Sequence, residues 1–131
     1  GGKASPAVGF ALGVERVVLL MQSLDVVPDS LQAQADVYLM AQDKDQEHAV
    51  RQLARDIRLH CSNLRVMTHI GGGSLKSQVK KADKSGARVG LIIGEAEMID
   101  KTVVFKPLRG GEQLTVKIED LFELLIELKE D

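Results

Sequence analysis

The chain has 131 residues, 44% of them hydrophobic, which is within the size of one ordinary domain and enough to bury a core. Its 17 basic and 19 acidic residues leave a formal net charge of -2, so no global charge advertises a nucleic-acid partner and any basic surface must be local. Aromatic residues are 3% with no Trp, so the core must be aliphatic, and the single Cys61 excludes an intramolecular disulfide.

No apolar run approaches the roughly 18 to 20 residues that span a bilayer, and a soluble, reducing setting is expected. Gly1 to Pro6 has neither a charged n-region nor a signal-peptide apolar stretch, and reads as a cut end. Ala7 to Leu12 is small and apolar, and Val14, Val17, Val18, Met21 and Leu24 recur at helical spacing, which predicts a strand running into a helix. Asp25 to Gln34 carries Pro28, Asp29 and Ser30 without periodicity and reads as a linker. Val37 to Ala41 is a short apolar strand, and Asp43 is placed to cap the helix after it. That helix carries Val50, Leu53, Ala54, Ile57 and Cys61 as one stripe.

Leu64 to Thr68 alternates as a second strand. Gly71, Gly72 and Gly73 then lead into Ser74, an N-cap for a helix from Leu75 to Lys84 closed by Gly86. Val89 to Ile93 is the continuous apolar run of a strand buried on both faces. After an acidic turn from Glu95 to Asp100 come Thr102 to Phe105 and Gln113 to Val116, an edge hairpin, and a final helix from Ile118 to Lys129. The expected fold is α/β: a five-stranded mixed sheet flanked by three helices, preceded by a strand-helix remnant.

The Gly triplet at a helix start suits a phosphate, because free backbone N–H groups bind anions there, although three glycines also make a plain flexible turn. The strict phosphate-loop and dinucleotide patterns are absent. Lys76, Lys80 and Lys84 share one helix face, with Lys81 and Arg88 nearby and only Asp83 opposing them. Such a ridge suits a polyanion, or is simply a solvated face. Glu95 and Glu97 follow the central strand at its C-terminal end, where open α/β sheets place ligands and where a carboxylate can accept from an unstacked base. The duller alternative is a pair that complements a helix dipole. His48, His60 and His69 match no metal spacing, so no metal site is expected, and no complete active site is found.

Val8-Gly9-Phe10-Ala11-Leu12-Gly13-Val14-Glu15-Arg16 resembles the third signature motif of class II aminoacyl-tRNA synthetases, in the wording of the histidyl-tRNA synthetases especially. Ile70 to Glu97, with its Gly triplet, Leu75-Lys76, Gln78, Lys81-Ala82-Asp83 and Ile93-Gly94-Glu95-Ala96-Glu97, is similar to the anticodon-binding domain shared by the histidyl, threonyl, prolyl and glycyl enzymes. The resemblance implies a C-terminal remnant of the catalytic domain at 1–24, a linker at 25–34 and an anticodon-binding domain at 35–131. It implies a parent histidine-tRNA ligase, cytoplasmic and homodimeric, that activates histidine with ATP and Mg2+ and transfers it to tRNA-His. Arg16 would hold the ATP γ-phosphate in that parent and Gly13 would let the nucleotide approach, since a guanidinium forks onto phosphate oxygens.

Glu97 matches a position that reads an anticodon base, Lys106 one that can face the anticodon, and Gly71, Gly72, Gly73, Lys76, Gln78 and Lys81 complete the implied tRNA-binding set. The ridge and Glu97 are expected on one surface. The first two class II motifs do not occur in these residues, so this chain alone is expected to be catalytically inactive, with 1–24 disordered or packed adventitiously. The alternative is a synthetase-like regulatory or protein-interaction domain without aminoacylation. The intact Glu15-Arg16 pair weighs against it.

Overall fold

The computed structural model describes residues 1–28, 31 and 33–128. Asp29, Ser30 and Gln32 of the expected linker, and the expected last helical residues from Lys129 on, lie outside the described residues. The chain divides into two units, Gly1–Leu31 and Gln32–Asp131.

In the first unit, α1 (Val14–Ser23) has Gly13 as its N-cap and no buried residue. The strand expected at Ala7 to Leu12 does not form. A strand needs a neighbour for its backbone N–H and C=O groups; this segment joins no sheet, and Val8, Phe10 and Leu12 stand exposed.

The second unit runs β1 (Val37–Ala41), α2 (Glu47–His60), β2 (Val66–Thr68), α3 (Leu75–Lys84), β3 (Val89–Ile93), α4 (Glu95–Asp100), β4 (Thr102–Pro107), β5 (Leu114–Lys117) and α5 (Ile118–Glu127). The sheet order is β2-β1-β3-β4-β5. β1 pairs in parallel with both β2 and β3, whereas β3–β4 and β4–β5 are antiparallel, which gives the five-stranded mixed sheet. β1 and β3 are buried at every residue because both of their faces are covered.

Alternation along the strands sorts the core into two layers. Val37, Leu39, Val89, Leu91, Val103 and their neighbours pack under α2 and α5. Tyr38, Met40 and Ile92 pack on the opposite face, with Ala82 of α3 among them. The α2 stripe of Val50, Leu53, Ala54 and Ile57 is buried as its spacing requires. At the N-terminal end of the sheet, Arg65 donates from both its backbone N and its guanidinium to the Asp36 carboxylate, tying the entries of β1 and β2 together.

Several local readings change. Asp43 caps a 3-10 turn, Lys44–Gln46, rather than α2 itself, and Gln46 Oε1 accepts from its backbone N at 2.9 Å. β2 starts at Val66 because Leu64 turns inward as core and the Arg65 N–H goes to Asp36 instead of a strand partner. Glu95–Asp100, expected as a turn, is helical: Glu97 Oε2 accepts from Gly94 N at 2.9 Å and closes the first turn, so α4 joins the three expected helices. Gly86 ends α3 with φ +78, and a Cβ there would lie 2.9 Å from Ala33 Cα, so both conformation and space call for glycine.

Candidate nucleic-acid interface

Three parallel strands bring three C-terminal ends, at Ala41, Thr68 and Ile93, to one rim. From there β1 leads into α2 on one face, while the neighbouring β2 leads through the Gly triplet into α3 on the other. Adjacent strands whose connections part to opposite faces leave a crevice outside their carboxyl ends, the usual ligand position in an open α/β sheet. A cleft of about 430 Å³ lies there, lined by Ala41, Gln42, Lys44, Val50 and Arg51 from the α2 side and by Thr68, His69, Gly72, Gly73 and Gln78 from the α3 side.

The α3 wall is built by hydrogen bonds. Gly71, Gly72 and Gly73 have φ of +98, +63 and +100, a backbone run that L side chains rarely adopt. His69 pins this loop: Nε2 lies 2.8 Å from Gly72 O and Nδ1 lies 3.0 Å from Tyr38 Oη. Because a carbonyl only accepts, Nε2 carries the proton and Nδ1 accepts from the tyrosine. Burial holds the Tyr38 hydroxyl above its usual pKa, so it remains a donor at neutral pH. Ser74 caps α3, its side chain accepting from Ser77 N.

Gln78 is buried rather than part of an exposed contact helix, because it lies three residues after Leu75 and four before Ala82, on the inward face. Its Nε2 donates to Ala41 O at 2.9 Å and to Gly73 O at 3.1 Å, joining the end of β1 to the glycine loop. Lys76 and Lys81 are exposed along α3 with Lys80 and Lys84. Arg109 reaches back to Asp83 at 3.0 Å, which removes the lone opposing acid from the ridge.

Glu97 is half-exposed and sits at the same rim on the α2 side, in a second cleft shared with Gln52, Asp56 and Thr102. The ridge and Glu97 therefore do not form one surface. α3 covers the Tyr38 and Met40 face, whereas α4 shares a cleft with residues of α2. Lys106 is half-buried on β4, in register with Gly90, and so lies beside the early part of β3 rather than at the rim. Gly13 and Arg16 adjoin at the start of α1, where a Cβ on Gly13 would lie 3.7 Å from Arg16 Cβ. One exposed guanidinium and one glycine do not by themselves build an ATP site. The described residues contain no cluster of three or more groups able to hold a metal ion, and no described helix is long and apolar enough to cross a membrane.

His69, Gln42, Lys44 and Arg51 are rim residues that the sequence reading missed. Their signal is position: each lies just past the C-terminal end of a parallel strand or in the first turns of the helix that follows.

Among solved structures, the chain is similar to histidyl-tRNA synthetase from Nostoc sp. PCC 7120, with TM-score 0.70 and 24% identity over 88% of this chain and 28% of that one. It is similar to apo histidyl-tRNA synthetase from S. aureus, with TM-score 0.65 and 21% identity over 85% of this chain and 28% of that one. The RNA binding domain of threonyl-tRNA synthetase from Cryptosporidium parvum Iowa II matches with TM-score 0.67 and 12% identity over 72% of this chain and 24% of that one. The chain thus spans about a quarter of the length of these proteins. The family model described as Anticodon binding domain matches residues 36–128, from the entry of β1 to the end of α5, and the chain belongs to that family.

Proposed function

We propose that this chain is the C-terminal part of a histidine-tRNA ligase and that its second unit grips the anticodon loop of tRNA-His at the C-terminal rim of the sheet. The observation that carries the reading is the crevice between β1 and β2, a site able to take a flat ligand, lined by the glycine loop together with Lys44, Asp43 and the Arg51–Glu47 ion pair. Single-stranded RNA loops are recognised in this manner, by bases splayed into pockets while cations track the backbone. Glu97, at the same rim, keeps Oε1 for a base donor while Oε2 caps α4. Histidine as the cognate amino acid is supported by the wording of Ser5 to Arg16 and by the two histidyl enzymes among the similar structures.

The intact parent, a cytoplasmic homodimer in this reading, would supply histidine activation with ATP and Mg2+, to which this chain brings Gly13 and Arg16. Binding of labelled tRNA-His and of an unrelated tRNA at two salt concentrations tests the proposal. Affinity should favour tRNA-His and fall as salt rises, because lysines displace counterions from phosphate. Equal and salt-independent affinity for both would overturn it.

A further inference from the structure

We propose that Tyr38 and His69 are positioning residues: together they hold the Gly71–Gly73 loop in one conformation before RNA arrives, so that ordering the loop belongs to folding rather than to binding. The proposal rests on the anticodon-loop reading above for what the loop meets, and on the geometry of the free chain for how the loop is held. Three successive glycines at positive φ are a permissive stretch of backbone. Packing does not confine them: a Cβ at Gly71 or Gly72 would meet nothing within 4 Å, and one at Gly73 only the Ser77 side chain, from 3.8 Å. The confinement comes from side-chain donors, His69 Nε2 to Gly72 O at 2.8 Å and Gln78 Nε2 to Gly73 O at 3.1 Å.

His69 is itself a fixed post. Its backbone N donates to Leu39 O at 2.8 Å, and Tyr38 Oη lies 3.0 Å from its Nδ1. The two side-chain bonds of the ring depend on each other. With the proton on Nδ1, the Nε2 lone pair would face the Gly72 carbonyl and that bond would be lost. With the proton on Nε2, Nδ1 accepts from the tyrosine hydroxyl and both bonds form. Tyr38 is 5% exposed, packs in the core layer with Met40 and Ile92, and is not part of the cleft lining. It therefore acts on RNA only through His69 and the loop. A segment ordered in advance loses less entropy on binding, which raises affinity without any added contact.

The test uses the 131-residue chain, free and with an RNA hairpin carrying the anticodon loop. In the free chain, nitrogen NMR should show the His69 ring protonated at Nε2 and the three glycine amides as rigid as the neighbouring strands. Tyr38→Phe keeps a ring in the core and removes the donor. It should shift His69 toward the other tautomer, loosen the glycine amides and weaken hairpin binding about threefold. His69→Gln places an amide N–H where Nε2 was and should bind within about twofold of wild type. His69→Asn places its amide where Nδ1 was, loses the Gly72 bond and should weaken binding roughly tenfold, the scale of one hydrogen bond. Wild-type glycines as mobile as a chain end, or a Tyr38→Phe chain with unchanged tautomer, loop order and affinity, would overturn the proposal. So would His69→Gln and His69→Asn weakening binding alike, since His69 would then act by its own contact with RNA. Should Tyr38→Phe lose its thermal transition, the two His69 variants and the wild-type spectra decide. A wild-type chain that binds no hairpin removes the functional reading, while tautomer and loop order in the free chain still test the relay.

Discussion

Glu97 is the residue at which a structural and a recognition role can be separated by one oxygen. Oε2 accepts from Gly94 N at 2.9 Å, and Gly94 is buried at the exit of β3, so removal of the side chain strands a backbone N–H and uncaps a helix of six residues. A lost cap costs about 1 kcal/mol and an unsatisfied buried donor about 1–3 kcal/mol, and because both describe the same N–H they do not add. Glu97→Ala should therefore destabilise by about 1–2 kcal/mol. Glu97→Gln keeps an acceptor for Gly94 N and should stay within about 0.5 kcal/mol of wild type. In hairpin binding, both variants should weaken affinity, because a base donor loses the carboxylate. Urea titration and anisotropy of a labelled hairpin give the two readouts. If Glu97→Ala unfolds at the wild-type urea midpoint, the capping argument is wrong. If Glu97→Gln binds the hairpin as wild type does, the carboxylate reads no base.

Gly86→Ala forces a Cβ into a left-handed backbone and to within 2.9 Å of the Ala33 backbone; with about 1–2 kcal/mol for the conformation and a comparable clash, it should lower stability by about 2–4 kcal/mol in urea titration. Cys61 is buried at the end of α2, and burial pushes its thiol above the ordinary value. The unfolded chain then deprotonates first, so stability is full below about pH 8.5 and declines as pH rises beyond it. Cys61→Ala should delay that decline until tyrosine begins to ionise near about pH 10, and an unchanged pH profile of the urea midpoint would refute the assignment. Lys76→Glu with Lys80→Glu should weaken hairpin binding and flatten its salt dependence while the thermal transition persists, since both lysines are exposed.

The patterns that were legible in the sequence are those whose cause is local. Val37 to Ala41 and Val89 to Ile93 are apolar at nearly every position because both of their faces are covered, and the α2 stripe follows from helical spacing alone. Ala7 to Leu12 looks equally strand-like, yet a strand is a property of pairs, and this segment joins no sheet. Gln78 could have been placed inside from its spacing to Leu75 and Ala82, but its polarity argued for the surface, and only the hydrogen bonds to Ala41 and Gly73 explain its burial. The largest departure concerns the lysine ridge and Glu97. Sequence puts both near one rim, but whether α4 shares a cleft with α2 or with α3 depends on packing across the sheet, which spacing does not encode.

Amide hydrogen exchange of the chain with and without the anticodon hairpin tests the rim most directly. Protection on binding should concentrate at Gln42, Gly72, Gly73 and the Gly94 to Glu97 turn, and should leave the opposite end of the sheet, at Asp36, Arg65 and Arg88, unchanged. Protection confined to that opposite end, or spread evenly along α3 without the rim, would contradict the account.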